Sequence, residues 1–390
     1  MADQFTAAVL GTGFIGPVHV EGLKRAGVQV AGIAGSTPAK SDAAAETLGL
    51  PRGYASLDEI LHDDDVDCVH LTTPNRFHFE QARAVLSAGK HVLCEKPLAM
   101  NSAESAELVR LADQSGRAAG VAYNVRFYPL CHEAAAQVRE NKLGRLLHAH
   151  GSYVQDWLLR DTDFNWRVLA REGGPLRAVA DIGTHWLDLI QFVTGQRVVS
   201  VFADLQIVHE VRYRPDGSSE TFAGSTDRSS AKSISIDTED AGCVLLRFDD
   251  GAHGSVRVSQ TTPGRKNSIQ FEIAGSDASL AWESERPNAL WIGHRDRPNE
   301  LLTRDPALMS PSAAAVSNYP GGHNEGFPDT FKQLFRAFYG SLASSKADGP
   351  SPYPTFSDGH HEILLCEAIL ASQREGRWVE VSEIAGNATA

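Results

Sequence analysis

The sequence is poor in cysteine: it has five in 390 residues, widely spaced and without a Cys-x-x-Cys pair. Such spacing disfavours both a disulfide framework and a structural zinc site. Basic residues are also in deficit, with 36 against 49 acidic ones and a net charge of −13. We therefore expect neither nucleic acid nor an anionic membrane as a partner, since both require basic surface.

Long apolar runs are absent as well, and no stretch approaches the ~20 residues that a membrane-spanning helix needs. The first residues, MADQFTAAVLGTG, lack the basic start and cleavable apolar run of a signal peptide. The sequence therefore favours a cytoplasmic protein. Apolar residues make up 42% of the chain, which is enough for a sizeable globular core.

Short apolar runs alternate with helical patterns over about the first 125 residues. This alternation favours right-handed crossovers and a parallel sheet that is covered on both faces. We therefore predict an α/β domain over 1–125, followed by a second domain over 126–390. The predicted strands of the first domain cover 6–10, 28–34, 67–74, 91–95 and 118–124.

The pattern changes after about residue 146, where strand-like runs dominate and the turns FDDGAHG and AGSDASL are typical of hairpins. These features predict an α/β domain with a mostly antiparallel sheet that packs through one face. A helix is predicted over 180–194 and two late ones near 325–343 and 357–375, which we expect to return to the body of the molecule. The Ser/Gly-rich stretch 215–233 is predicted to be a surface excursion.

A glycine-rich turn follows the first strand and opens a helix, with the spacing Gly11-x-Gly13-x-x-Gly16. This strand, turn and helix arrangement allows a tight turn, close backbone approach to a pyrophosphate, and helix N–H groups aimed at the anion. We predict that the turn, including Phe14 and Ile15, binds a dinucleotide. The alternative is a glycine-rich turn with no ligand.

The end of the second strand lacks the acidic residue that would bind the ribose 2′-hydroxyl of NAD. Gly35 occupies the expected position, and Ser36, Thr37 and Lys40 follow it. Small hydroxyls and a cation suit a 2′-phosphate better than a bare ribose, so the sequence favours NADP over NAD. Alternatively, Lys40 is only a solvated helix residue.

Two further segments carry residues suited to oxidising an alcohol. Lys96 follows a predicted strand and precedes a proline, while Asp181 and His185 lie four apart on a predicted helix. The imidazole, with an ordinary pKa near ~6.5, is suited to taking the hydroxyl proton, and the ammonium to stabilising the alkoxide. If Lys96 is instead the base, its pKa must be lowered. A metal site is disfavoured because one helix supplies too few ligands.

The motifs GTGFIG, TTPNRFH, AGKHVLCEKPLA, YNVRFYP and DIGTHWLDL occur in this order along the chain. In these motifs the sequence resembles the Gfo/Idh/MocA family of sugar and inositol dehydrogenases. The resemblance implies an N-terminal Rossmann domain, a C-terminal α/β domain with an open, mostly antiparallel sheet, dimers or tetramers, and no metal. It implies Lys96, Asp181 and His185 as catalytic residues. It also implies that the cofactor-lining residues are Thr73, Pro74, Asn75, His78, Glu95, Lys96, Asn124 and Arg126.

Aromatic and polar side chains cluster in the segments before the predicted catalytic helix and in a late glycine-rich loop. Aromatic faces beside amides and charges suit a polyol, through stacking and directional hydrogen bonds. Each residue alone is as well explained by a structural role. Together with Lys96, Asp181 and His185, we predict that the substrate is bound by Gln155, Asp156, Trp157, Trp166, Arg167 and His323.

The sequence thus predicts an NAD(P)-dependent dehydrogenase or reductase that acts on a secondary hydroxyl or ketone of a sugar, glycoside or inositol. One alternative is a glycoside hydrolase that oxidises its substrate transiently and forms no net NADH. A second alternative is a non-catalytic dinucleotide sensor, although a sensor has no use for a base beside the nicotinamide.

Overall fold

A computed structural model describes residues 5–215, 228, 231–343 and 350–388. Most of the predicted excursion over 215–233 lies outside these described residues. The chain divides into two compact units, the first formed by Met1–Asn124 with Pro328–Ile363 and the second by Val125–Phe327 with Leu364–Ala390. The chain therefore leaves the first unit close to the predicted domain boundary and re-enters it with the late segment.

The first unit contains a six-stranded sheet in the order β3-β2-β1-β4-β5-β6. All of its strand pairs are parallel, as predicted for strands that alternate with helices. The strands are β1 Thr6–Leu10, β2 Gln29–Ala34, β3 Gly53–Tyr54, β4 Cys68–Leu71, β5 His91–Cys94 and β6 Ala119–Val121. Sequence analysis missed the two-residue β3 and made the strands at 67–74 and 118–124 too long.

Helices follow most of these strands and end as their sequences predict. The first helix closes at Gly27, which adopts a left-handed conformation with φ 79° that glycine reaches without steric cost. The hydroxyl of Thr37 and the amide of Asn101 cap the helices that begin after them. These helices are α1 Ile15–Ala26, α2 Pro38–Leu48, α3 Leu57–Leu61, α4 His78–Ser87 and α5 Ser102–Ser115.

The second unit contains a nine-stranded sheet in the order β16-β15-β14-β13-β7-β12-β11-β8-β17, beside a two-stranded ribbon of β9 and β10. Its pairs are antiparallel except for β7 with β12, which run parallel. The strands are β7 Leu146–Val154, β8 Val198–Gln206, β9 Val211–Arg214, β10 Lys232–Ser235, β11 Ala241–Phe248, β12 His253–Ser259, β13 Ser268–Gly275, β14 Ser279–Glu283, β15 Ala289–Gly293, β16 Glu300–Thr303 and β17 Val379–Glu380.

Helices pack on one face of the large sheet and leave the other open. In β11 the residues Val244, Leu246 and Phe248 are buried while their neighbours Leu245 and Arg247 are exposed, as expected for a strand with one covered face. Sequence analysis did not predict α6. The remaining helices of the chain are α6 Pro129–Arg139, α7 Ala170–Gly173, α8 Thr184–Thr194, α9 Pro311–Ala315, α10 Phe327–Ala343, α11 Phe356–Glu375 and α12 Val381–Ala388.

Across the described parts of the chain, none of the helices combines the length and apolar character that spanning a membrane would require.

Candidate active site

Of the three glycines in the turn between β1 and α1, two leave no room for a Cβ atom and one does. A Cβ added to Gly11, whose φ is +124°, would lie 2.4 Å from the hydroxyl oxygen of Thr72, and one added to Gly16 would lie 2.1 Å from the carbonyl of Gly11. At Gly13 an added Cβ would meet nothing within 4 Å. The tight packing of the turn therefore requires glycine at positions 11 and 16. Gly13 leaves space for a ligand to approach the backbone, as a pyrophosphate requires.

The start of α1 complements this space. The helix has no acidic residue in its first turn and no side-chain cap at Phe14. The positive end of the helix dipole therefore favours an anion at this position. The residues of this turn thus fit the diphosphate of a nicotinamide dinucleotide.

The predicted ribose-site residues in the segment after β2 have two different roles. The Thr37 hydroxyl accepts a hydrogen bond of 3.3 Å from the Lys40 N–H and so caps α2. The backbone N–H of Gly35 donates to the hydroxyl of Ser41 over 2.8 Å. Ser36 and the Lys40 side chain are exposed beside the strand end. Ser36 and Lys40 therefore remain suited to contacting a ribose phosphate, whereas the Thr37 hydroxyl serves the helix.

His78, predicted to line the cofactor site, is held by contacts in the interior of the first unit. The side chain is fully buried, with Nδ1 2.7 Å from the carbonyl oxygen of Pro97 and Nε2 2.8 Å from that of Thr73. Burial lowers the pKa of His78, although the two carbonyls partly oppose this effect. The imidazole thus ties the loop after β4 to the loop after β5. Its assignment as a cofactor-lining residue stays a prediction.

The loop after β4 is fixed in the same way by local contacts. The hydroxyl of Thr73 donates to Gln81 over 2.5 Å, and Pro74 precedes a single 3₁₀ turn over Asn75–Phe77. Asn124, also predicted at the cofactor, is 2% exposed and donates to the hydroxyl of Thr330 over 2.7 Å. The role of these residues in cofactor binding stays a prediction.

Lys96 directly follows Glu95 at the end of β5, as predicted. The Oε2 atom of Glu95 accepts a hydrogen bond from the backbone N–H of Lys96 over 3.3 Å. The Oε1 atom of Glu95 lies 3.0 Å from Nε2 of His19, a fully buried residue of α1. The carboxylate therefore joins the backbone of Lys96 to the interior of the first unit, a connection that sequence analysis missed.

Asp181 and His185 lie in one continuous helical segment of the second unit. The segment opens with a π-helical turn over Val179–Gly183, which holds Asp181, and continues as α8, which holds His185. Sequence analysis predicted an ordinary helix from residue 180. Such π turns are rare and occur frequently at functional sites, because the added residue re-aims the side chains around it.

The carboxylate of Asp181 is held by two side chains from elsewhere in the second unit. Nε2 of Gln260 donates to Oδ2 over 2.8 Å, and Nε of Arg167 lies 3.4 Å from Oδ1. Burial raises the pKa of Tyr153, and the nearby charge of Asp181 raises it further. The ring centroid of Tyr153 lies 6.2 Å from that of His185. The structure thus brings Arg167, Asp181 and His185 together, and adds Tyr153 and Gln260.

A row of hydrogen bonds extends from Tyr153 through the predicted substrate residues. The Tyr153 hydroxyl and Nε2 of Gln155 each donate to Oδ1 of Asn267 over 2.7 Å. The indole N–H of Trp157 donates to Oε1 of Gln155 over 2.8 Å. The row therefore fixes the orientation of two amides, which is what directional recognition of sugar hydroxyls requires. Sequence analysis missed Asn267.

Two predicted substrate residues lie apart from this row. Asp156 pairs with Lys266 over 2.8 Å, and this hydrogen bond holds the pKa of the carboxyl below its usual value despite an opposing effect of burial. His323 is exposed, with Nδ1 3.2 Å from the carbonyl oxygen of Gly321. Neither residue is placed in the row of Tyr153 and Gln155. Trp166 lies under the guanidinium of Arg167, whose central carbon is 4.5 Å from the ring centroid.

Arg126, predicted at the cofactor, forms an ion pair within the second unit. Its Nε donates to Asp188 over 2.9 Å, and a second nitrogen donates to the other carboxylate oxygen. The guanidinium also lies over the ring of Phe192. A bidentate pair of this kind commits two of the arginine's five N–H donors. The prediction relied on the neighbouring motif, and the partner is 62 positions away in the sequence.

A buried ion cluster holds the loop that follows Trp157 in place. Asp240 pairs with Arg177 and Arg212, and the side chains of all three are fully buried. Arg212 also donates to the backbone carbonyls of Leu158 and Asp163 over 2.9 Å each. The cluster therefore joins the segment that leads into the π turn to the loop that follows Trp157.

Among the described residues, no three His, Cys, Asp or Glu side chains are arranged to hold a metal ion.

Comparisons with known proteins match both units. A family model described as "Oxidoreductase family, NAD-binding Rossmann fold" matches residues 5–123, and one for the GFO/IDH/MocA C-terminal domain matches 131–281. The chain is 29% identical over 361 residues to levoglucosan dehydrogenase of Pseudarthrobacter phenanthrenivorans, covering 90% of this chain and 89% of that protein. It is 32% identical over 310 residues to 1,5-anhydro-D-fructose reductase of Ensifer adhaerens, covering 78% and 84%.

A solved structure, levoglucosan dehydrogenase in complex with NADH and L-sorbose, superimposes with a TM-score of 0.86 at 27% sequence identity. The match covers 97% of this chain and 98% of that one. The resemblance inferred from the motifs is thereby confirmed along nearly the whole length.

Proposed function

Because this chain belongs to the GFO/IDH/MocA family of oxidoreductases, we propose that it transfers hydride between nicotinamide and a secondary hydroxyl or ketone of a cyclic sugar. The observation that carries the proposal is the set of Asp181, His185, Gln260 and Tyr153, which places a carboxylate and an imidazole beside oriented amides. Two relatives are named for anhydro sugars, so these are the first substrates to test.

The proposed roles follow from the chemistry of each group. Nicotinamide, when bound, accepts or supplies the hydride. The ammonium of Lys96 binds the reacting oxygen and stabilises the negative charge that develops on it. His185 is assigned to remove the hydroxyl proton, because it lies in the same helical segment as Asp181, whose carboxylate can orient an imidazole base. Asp181, held by Gln260 and Arg167, orients the imidazole or the substrate hydroxyl.

Substrate selectivity is assigned to the hydrogen-bonded row that contains Asn267. Its oxygen already accepts from both Tyr153 and Gln155, so its NH₂ group is oriented and can donate to a sugar oxygen. Trp157 fixes Gln155 in turn and offers an apolar face to ring C–H groups. A rigid row of this kind favours a ring substrate over a flexible open chain, since less conformational entropy is lost on binding.

The cofactor is a nicotinamide dinucleotide, and we assign NADP as the preferred form. Gly35 offers no carboxylate to a ribose hydroxyl, and Ser36 and Lys40 are exposed beside it. A carboxylate at this position would repel a 2′-phosphate, whereas a lysine would attract it. NAD should also be accepted, because the residues present do not exclude the smaller ribose.

The open face of the large sheet is assigned as a contact between copies of the chain. Strand register places one row of residues across this face, with an ion pair of His150 and Glu272 near its middle. Leu245 and Leu301 on the row are 47% and 66% exposed. The whole row is Phe202, Leu245, Ser255, His150, Glu272, Ala281, Trp291 and Leu301. Its apolar ends and polar centre suit a two-fold interface.

The proposed function is tested by following reduced nicotinamide with a panel of anhydro sugars, pyranosides and inositols, each with NAD and NADP. We expect turnover with at least one cyclic polyol, and strong loss in Lys96→Met and His185→Gln. Exposed residues provide matched controls, Lys142→Met and His62→Gln, which should keep wild-type activity. Turnover that survives both catalytic-site substitutions would overturn the assignment.

A further inference from the structure

Four side chains of the first unit form a continuous hydrogen-bonded line that ends at Glu95. Its three links are Glu95 Oε1 to His19 Nε2 at 3.0 Å, His19 Nδ1 to His70 Nδ1 at 2.9 Å, and His70 Nε2 to the Tyr339 hydroxyl at 2.9 Å. His19, His70 and Tyr339 are completely buried, and Glu95 is 7% exposed. The proposed reaction uses none of the three inner residues.

The line passes through aromatic packing. The ring of Phe335 lies 5.0 Å from that of His19 and 4.9 Å from that of His70, and Phe331 lies 5.5 Å from His19. Apolar residues at His19 and His70 would fill this space without the cost of burying polar groups. A buried polar line is stable only when each member is satisfied.

Counting the hydrogens shared along the line identifies the donor and the acceptor at each link when Glu95 is ionised. Only one hydrogen can lie between the two Nδ1 atoms, and an ionised Glu95 requires the hydrogen of His19 on Nε2. The hydrogen between the rings must then belong to Nδ1 of His70, whose Nε2 accepts from the hydroxyl of Tyr339. Every link is satisfied with both imidazoles neutral. Burial lowers the pKa of His70 well below its ordinary value, which favours the neutral imidazole.

Tyr339, at the far end of the line, retains its hydroxyl proton. Burial raises the pKa of Tyr339 well above its usual range and that of the neighbouring Cys68 to about 12. A proton passed from Tyr339 to Glu95 would leave a buried tyrosinate. The line therefore holds Glu95 in place as a carboxylate and does not conduct protons.

The carboxylate and a third buried histidine, His78, hold the two sides of Lys96. Oε2 of Glu95 accepts from the backbone N–H of Lys96, and the carbonyl of Pro97 lies 2.7 Å from Nδ1 of His78. We infer that His19 is a positioning residue for Lys96, acting through Glu95, and that His70 and Tyr339 fix the tautomer of His19 that this requires. The inference rests on the proposed function only in taking Lys96 as the residue that meets the substrate.

The tautomers are tested directly by nitrogen NMR of protein labelled in histidine, with signals assigned by their loss in His19→Gln and His70→Asn. We expect a neutral Nε2–H form at His19 and a neutral Nδ1–H form at His70. A charged imidazole at either position, or the reverse tautomers, would overturn the line. This measurement does not depend on knowing the substrate.

The positioning role is tested by kinetics on graded variants. His19→Gln keeps an N–H donor for Glu95, whereas His19→Leu removes it, so the leucine variant should lose more kcat. Tyr339→Phe deletes one oxygen three links from Glu95 and should lower kcat about 10-fold with little change in cofactor KM. Tyr353→Phe, in the same unit but outside the line, is the matched control and should keep wild-type kcat.

The two outcomes separate the inference from the proposed function. If wild-type protein oxidises a sugar and Tyr339→Phe and His19→Leu both keep its kcat, the positioning role is wrong and the function stands. If the tautomers are as stated but no polyol is oxidised by wild-type protein, the function is wrong and the line stands. Should His19→Leu fail to fold, Tyr339→Phe still decides, because it leaves the aromatic packing in place.

Discussion

Replacing Gly35 by aspartate should shift the cofactor preference toward NAD. The carboxylate would stand at the end of β2, where it can accept hydrogen bonds from ribose hydroxyls and repel a 2′-phosphate. A hydrogen bond to a charged group contributes about 1.5–3 kcal/mol. This corresponds to a change of ~10- to 150-fold in the ratio of kcat/KM for NAD to that for NADP.

The structure also shows which side chains must move to accommodate a Cβ atom at position 35. A Cβ at Gly35 would lie 3.1 Å from Cβ of Lys40 and 3.1 Å from the methyl carbon of Thr12, so these neighbours must move by a few tenths of an ångström. Gly35→Ala introduces the same Cβ without the charge. Comparing aspartate with alanine therefore isolates the carboxylate from the steric effect.

The assay is the initial rate of reduced nicotinamide formation at varied NAD and NADP, with one saturating sugar. We expect the alanine variant to lose similar activity with both cofactors, and the aspartate variant to raise the NAD to NADP ratio at least 10-fold above it. Equal ratios in the two variants would refute the reasoning, and would mean that the ribose is bound by residues other than those after β2.

Three further substitutions test other parts of the account. Lys96→Ala should lower kcat far more than cofactor affinity, measured by initial rates and cofactor titration; equal losses in both would contradict its role. Gln260→Leu should lower kcat by ~10-fold by releasing Asp181, whereas unchanged kcat would remove Gln260 from the site. Asp240→Asn should cost about 3 kcal/mol in chemical denaturation, because it leaves Arg177 buried beside a neutral partner. Burial raises the pKa of Asp240, but the charges of Arg177 and Arg212 outweigh this effect and lower it. The ion pairs should therefore stabilise the fold fully above pH ~4. This contribution should be lost only as the pH falls through the lowered pKa of Asp240.

Local patterns predicted the parallel sheet and the glycine turn well. Buried parallel strands are short apolar runs, and the turn needs glycine at Gly11 and Gly16 because neighbouring backbone and Thr72 leave no room for a Cβ. Both properties are expressed within a few residues of chain. The π turn at Asp181 was missed because one added residue in a helical turn leaves no separate signal in the pattern.

The contacts that hold the site were beyond local patterns because their partners are distant in sequence. Asp181 and Gln260 are 79 positions apart, and His70 and Tyr339 are 269 apart. His19 occupies an unremarkable position in α1, and nothing near it indicates that its partner is Glu95. Such pairs arise only when the fold brings their elements together, so they require coordinates.

The parallel pairing of β7 with β12 illustrates the same limit. Each strand alone has the alternation expected of an antiparallel sheet with one covered face, and four strands, β8 to β11, separate them in chain order. Direction of pairing depends on how the intervening chain returns, which alternation does not encode.

Transfer of deuterium from carbon is the measurement that tests the central claim most directly. A cyclic sugar found active in the panel, labelled with deuterium at the reacting carbon, is incubated with the protein and oxidised cofactor, and the reduced nicotinamide is analysed by mass. We predict deuterium in the nicotinamide, with transfer abolished in Lys96→Met and His185→Gln but not in His62→Gln. Cleavage of a glycoside with no net reduced cofactor, or equal transfer in all these variants, would contradict it.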